Sequence, residues 1–120
     1  DLVLFDDCDT IQDNALKKEI SKIKNDVLEV GRHKNICCIV TSHLVNGNDR
    51  KDTRTILNEC HNLTVFPKAG GAWGINYALK NYWGMPKKQI DDILALPSRW
   101  VTISKTFPQY VMHEKGVYLI

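Results

Sequence analysis

The chain opens with the apolar run Leu2-Val3-Leu4-Phe5, which leads straight into Asp6 and Asp7, with Asp9 one residue beyond Cys8. A continuous apolar run of this length suits a strand of a parallel sheet, because helices cover both faces and leave no wet side for polar residues to alternate onto. The carboxylates then fall at the strand's C-terminal edge, where open α/β sheets bind their ligands. Acids crowded at such an edge can hold a divalent cation against phosphate oxygens or orient a water. Burying one carboxylate beside another is costly unless a cation or proton compensates, and this singles out Asp6 and then Asp7. Asp9 reads more simply as the end of the strand and a cap for the next helix.

The rest of the sequence extends this pattern. Asp13 or Asn14 can cap a helix whose apolar positions Leu16, Ile20, Ile23, Val27 and Val30 follow helical spacing, with Lys17, Lys18, Lys22 and Lys24 on its solvated face and Gly31 as a left-handed terminator. Asn35-Ile36-Cys37-Cys38-Ile39-Val40 is a second buried strand, and the strand-helix-strand order brings Thr41, Ser42 and His43 to the same edge as Asp6 and Asp7. A polar loop over Asn46 to Asp52 precedes a short helix around Thr53 to Cys60, with Arg50 and Arg54 near its start. Leu63-Thr64-Val65-Phe66 reads as a third parallel strand ending at Pro67-Lys68. Two helices follow, one burying Ile75, Leu79 and Tyr82 and ending at Gly84, the other opened by Pro86 and burying Ile90, Ile93 and Leu94. From Ser98 the period changes to short strands with turn signals, an antiparallel hairpin or meander appended to the α/β part. The expected division is therefore an α/β part over 1–97 and a strand extension over 98–120.

Composition narrows the class. A charged fraction of 25% and an apolar fraction of 43% are those of a globular protein, and a net charge of +2 neither demands nor excludes nucleic acid. No apolar run approaches a membrane span and no signal peptide opens the sequence, so a cytosolic or nuclear setting is expected. The cysteines Cys8, Cys37, Cys38 and Cys60 lack CxxC spacing and read as reduced, mostly buried thiols. At 120 residues, beginning in mid-strand without a methionine, the chain is expected to be a fragment.

Two chemistries use acids on one strand and a hydroxyl on the next. In nucleoside triphosphate hydrolysis, one acid holds Mg²⁺, a second polarises the attacking water and a polar group follows the γ-phosphate. Asp6, Asp7 and Thr41 to His43 fill those roles. In phosphoryl transfer onto an aspartate, as in receiver or haloacid-dehalogenase-like domains, Asp6 or Asp7 accepts the phosphoryl group, Thr41 or Ser42 bonds it and Lys68 neutralises it. Pro67 precedes that lysine rather than following it, and Ile11 stands where the dehalogenase motif wants Thr or Val. No G-x-x-x-x-G-K-[ST] occurs, so the chain alone is not expected to turn over ATP.

Leu2 to Asp7, Gly31-Arg32-His33-Lys34-Asn35, Thr41-Ser42-His43-Leu44, Thr53 to Glu59, Thr64-Val65-Phe66-Pro67-Lys68, Ser98 to Ile103 and Tyr110 to Tyr118 together resemble, in order and spacing, the DNA-packaging ATPases of the nucleocytoplasmic large DNA viruses, poxvirus-type members of the FtsK/HerA superfamily of P-loop NTPases. The resemblance implies the C-terminal half of a P-loop NTPase from the Walker B strand onward, with the Walker A region absent. It further implies ATP and Mg²⁺ as cofactors, Asp6 as the metal ligand, Asp7 as the catalytic acid, and a sensor at Thr41, Ser42 or His43. Arg54, then Arg32, is the candidate finger completing the next subunit's site, worth ~10³ to 10⁵ in turnover. The implied partners are double-stranded DNA, a homo-oligomeric ring and capsid or membrane assembly proteins, in the host cytoplasm or the virion. Lys68, Lys80, Lys87, Lys88 and Lys105 are the cations that could meet DNA phosphates.

Overall fold

The computed structural model describes residues 1–43, 50–69 and 71–120; the expected loop over 46–49, Leu44 and Gly70 lie outside the described residues, as does the side chain of Arg50. The chain forms two compact units, Asp1–Glu59 and Cys60–Ile120.

In the first unit, β1 (Leu2–Asp6) pairs in parallel with β2 (Cys37–Thr41), connected through α1 (Asn14–Val30), and α2 (Arg50–Glu59) packs on α1. Asp13 is the N-cap of α1, its carboxylate accepting the amides of Ala15 and Leu16 at 3.0 and 3.2 Å. This is the capping geometry that short acidic side chains provide for the orphan amides of a first turn. Gly31 is not the left-handed terminator expected. Its φ is −60°, the chain continues into a 3-10 turn over Gly31–Lys34, and the left-handed residue is Asn35 at φ 55°.

The expected apolar face of α1 is only partly covered: Leu16, Ile23 and Val30 are each at least half exposed. What α1 does bury is Lys24, 3% exposed, whose Nζ lies 2.8 Å from the Asp52 carboxylate of α2. Ser21 and Asn25 donate to the same carboxylate at 2.7 and 3.2 Å. The lysine read as solvated is therefore the polar joint between the two helices. Burial pushes the Asp52 carboxyl up, but the hydrogen bonds from Lys24, Ser21 and Asn25 outweigh it and hold the group below its ordinary range.

In the second unit, β3 (Asn62–Val65), β4 (Val101–Ser104), β5 (Tyr110–His113) and β6 (Gly116–Leu119) form one antiparallel sheet in that order. The helices α3 (Ala72–Asn81) and α4 (Lys87–Leu94) lie between β3 and β4 in the chain and pack on each other. Here the expected architecture is corrected. β3 is not a third parallel strand but runs antiparallel to β4, Leu63 opposite Ile103 and Val65 opposite Val101, so the tail strands share a sheet with it. The observed fold is mixed α/β, with a two-stranded parallel sheet and a four-stranded antiparallel one, not the parallel-sheet half of a P-loop NTPase.

The physical reason lies in the alternation of β3. Leu63 and Val65 are buried while Asn62 and Thr64 are exposed, the pattern of a strand with one wet face, which antiparallel sheets tolerate and parallel ones do not. Thr64 and Thr102 even share a hydrogen bond on that outer face, 2.7 Å between hydroxyls. The helices contribute Ile75, Ala78, Leu79, Ile90 and Ile93 to the buried set, and the sheet adds Val101, Ile103 and Val111. Gly84, at φ 61°, supplies the left-handed turn after α3. Ser98, 3% exposed, fixes the entry to β4: its hydroxyl donates to the Trp100 carbonyl and accepts the Glu114 amide, while the Glu114 carboxylate takes the Arg99 backbone amide at 2.9 Å and Nε at 2.6 Å.

Candidate functional site

The register of the parallel pair sets Asp6 directly opposite Thr41. Neighbouring strands are separated by about 4.8 Å, close enough for the two side chains to meet, and the Thr41 hydroxyl donates to the Asp6 carboxylate at 2.6 Å. That length belongs to a charge-assisted O–H bond. The next residue fixes the same hydroxyl from the other side. Asp7 adopts the left-handed conformation, φ 51° and ψ 35°, which Asp tolerates better than most residues. Its amide then donates to the Thr41 hydroxyl at 3.0 Å and to the Thr41 carbonyl at 3.3 Å. This kink ends β1 and turns the chain into a 3-10 turn, Cys8–Thr10, whose Thr10 amide and hydroxyl both return to the Asp7 carbonyl at 3.1 and 2.7 Å.

Asp9 is not the helix cap expected, since Asp13 fills that place. Its carboxylate reaches across to the end of β2 and accepts the His43 amide at 2.8 Å, with the His43 Nδ1 at 3.4 Å from the same oxygen. The other Asp9 oxygen is buried without a hydrogen-bond partner. Ligand atoms of Asp7, Asp9 and His43 lie within 4.8 Å of one another, the kind of spacing that can enclose a cation. Sequence reasoning missed Asp9. Its signal, a third acid just past a strand end, is indistinguishable from a cap until His43, just past β2, is seen to donate to it.

The remaining candidates are dispersed. Ser42 is half-buried between Thr41 and His43, and Arg54 is exposed on α2. Arg32 is exposed in the 3-10 turn that enters β2, at the strand end opposite Asp6 and Thr41. Among the lysines considered for DNA, Lys87 and Lys88 pair with Asp91 and Asp92 one turn on, at 2.9 and 3.7 Å, and Lys105 Nζ sits 5.7 Å from the Trp83 ring centroid. Lys68 and Lys80 are exposed. Burial raises the pKa of the thiols Cys38 and Cys60, while Cys37 is exposed rather than buried as expected, and all four cysteines are free. Among the described residues, no helix is long and apolar enough to cross a membrane.

The chain is 59% identical over 115 residues to "Uncharacterized protein V3" of Sputnik virophage, a match that takes in 96% of this chain and 46% of that protein. The chain thus spans about half the length of the curated relative it matches. No family model matches the sequence. No solved structure matches it. The resemblance to the packaging ATPases is therefore overturned: no ATPase family model answers to the chain, its viral relative carries no described activity, and the antiparallel β3 removes the sheet that such a half-domain requires.

Proposed function

We propose that the corner built by Asp6, Asp7 and Thr41 is part of an ATP-hydrolysing site, and that hydrolysis drives the movement of double-stranded DNA during virion assembly, in the host cytoplasm or the virion. The observation that carries the reading is the Asp6–Thr41 bond at the C-terminal edge of the parallel pair, tied by the Asp7 amide into one fixed unit. The viral origin of the similar protein supports the setting. The hydrolytic part of the reading rests on this corner; the DNA and the ring are added from the viral setting.

The donors suit the hard cation that ATP brings. Asp6, Asp7 and Thr41 offer only oxygens, which is what Mg²⁺ takes. Asp6 would hold Mg²⁺, and the bound ion supplies charge neutralisation at the phosphates. Thr41 keeps the Asp6 carboxylate oriented, and Asp7, exposed at the next residue, is free to accept the proton of an attacking water. No G-x-x-x-x-G-K-[ST] occurs in these 120 residues, so the reading requires a phosphate cradle from the rest of the protein or from a partner. Arg54, exposed on α2, is the candidate to complete the site of a neighbouring copy in a ring.

ATP turnover by the whole protein tests this. Asp6→Asn should reduce it by about 10² or more, whereas Asp13→Asn, which keeps a capping oxygen, should leave it unchanged. Full turnover in the Asp6→Asn protein would refute the reading.

A second reading is favoured by one observation. The Asp7, Asp9 and His43 group offers a ring nitrogen and two carboxylates, and one Asp9 oxygen is buried without a hydrogen-bond partner, a set better matched to Mn²⁺ or Zn²⁺ than to Mg²⁺. Calorimetric titration of the chain with Mn²⁺ checks it, with His43→Ala expected to abolish the binding. The aspartyl-phosphate alternative needs Lys68 after a third strand of the parallel sheet, whereas β3 belongs to the antiparallel one.

A further inference from the structure

The parallel pair has one bare face. Leu2, Leu4 and Asp6 of β1 lie on it, in register with Cys37, Ile39 and Thr41 of β2. Leu2 is 66% exposed, Leu4 59% and Ile39 50%, and Cys37 is exposed beside them. On the other face Phe5 is buried and Val3, Cys38 and Val40 are half-buried. Among the described residues the sheet has these two strands, so each also presents there an outer edge of backbone amides and carbonyls without a ladder partner. Parallel sheets occur with both faces covered, and a two-stranded ribbon is marginal even when its strands are antiparallel. Contiguous exposed apolar side chains on a sheet face mark an interaction surface.

We propose that this face and its edges are docked by polypeptide equivalent to the half of the virophage protein that this chain does not match, contributing at least one parallel strand and an apolar helix. The matched region is 46% of that relative, so more than half of a 59% identical protein lies beyond it and is large enough to supply both elements. A second copy of this chain fits less well. Related by a two-fold axis, it would either extend one edge in antiparallel fashion or cover the face, and would leave the other requirement unmet. A strand added alongside β1 or β2 with its helix laid over Leu2, Leu4 and Ile39 meets both, through main-chain bonds at the edge and apolar contact on the face. The proposal concerns docking and does not depend on the reading of Asp6 as catalytic.

Co-expression of this chain with the unmatched part of the virophage protein, as two polypeptides, tests it by binding alone. The expected result is a one-to-one complex in which amide exchange over Leu2–Asp6 and Cys37–Thr41 slows at least tenfold and alkylation of Cys37 slows by a similar factor. Leu4→Lys and Ile39→Lys should each weaken the complex at least tenfold. Because both side chains are solvent-exposed in the chain alone, its circular dichroism should be unchanged. Absence of a complex overturns the proposal, as does a complex that leaves Cys37 as reactive as before or is insensitive to both substitutions. A dimer of this chain alone that Ile39→Lys converts to monomer also overturns it, by naming the second copy as occupant.

Discussion

The two units solve the same problem, how to close a core with few residues, in opposite ways. In the second unit, ten residues from Leu63 to Val111 form a buried apolar set drawn from two helices and three strands, and no charged side chain is buried with them among the described residues. In the first, among the described residues, the buried apolar set is Phe5, Ile56 and Leu57, and the most deeply buried polar group is Lys24. The second unit is held by dispersion and by exclusion of water. The first relies on a four-residue polar joint, and both units leave apolar side chains at least half exposed: Leu2, Leu4, Leu16, Ile23, Val30 and Ile39 in the first, Phe66, Trp73, Phe107, Val117 and Leu119 in the second. The lesson is that apolar sequence does not make a core by itself; it needs a facing surface, and the described residues of the first unit do not supply one for Leu2, Leu4 and Ile39.

Substitutions can break this contrast, and the largest effect is expected at the joint. Asp52→Ala leaves Lys24 buried without a counter-charge and should cost about 3–5 kcal/mol, read as faster amide exchange in α1 and α2 with β4 and β5 unchanged. Equal acceleration in both units would mean that they share one cooperative core and that the contrast is false. The pair change Lys24→Met with Asp52→Leu should recover most of the loss, since apolar residues of similar volume often replace a buried ion pair without cost.

The counterpart in the second unit is Leu79→Ala. Leu79 is fully buried, and emptying its site should cost about 2–5 kcal/mol, measured by denaturant unfolding.

Acid should separate the units more gently. The Asp52 carboxyl is held below its ordinary range when folded, so its contribution is fully present above the unfolded value, about 4, and is lost as pH falls through the folded one. Exchange in α1 and α2 should therefore quicken below about pH 4. The Glu114 carboxyl is lowered by its bonds from Arg99, and the corner at Ser98 should loosen over the same range. The smallest effect is expected on the outer strand of the second sheet, where Val117→Lys, at an exposed position, should move stability by no more than about 0.5 kcal/mol.

Much of the first unit was legible in the sequence: the two strands and the helix between them follow from local chemistry, and of the two caps offered, Asp13 or Asn14, Asp13 is the one used; the expected burial of both strand faces fails at Leu2, Leu4 and Ile39. The meeting of Asp6 and Thr41 follows as well, because parallel strands joined by a helix end at the same edge. Lys24 was not legible, since a lysine at helical spacing reads as solvated until a carboxylate from another helix is known to face it. The direction of β3 was missed because an apolar run of four residues does not state its partner; the exposed Thr64 between Leu63 and Val65 was the available sign. Asp9 was missed because no local pattern announces that His43, two residues past β2, meets it.

The hydroxyl of Thr41 gives its hydrogen to Asp6 and receives one from the Asp7 amide, so its polarity is already fixed before anything binds. A cation reaching Asp6 asks nothing of that hydrogen. An oxyanion seeking it must first outbid a carboxylate of its own charge. For the proposed site, the consequence is one of order: a cation can reach Asp6 with this bond intact, whereas an oxyanion can take the hydrogen only by displacing a carboxylate.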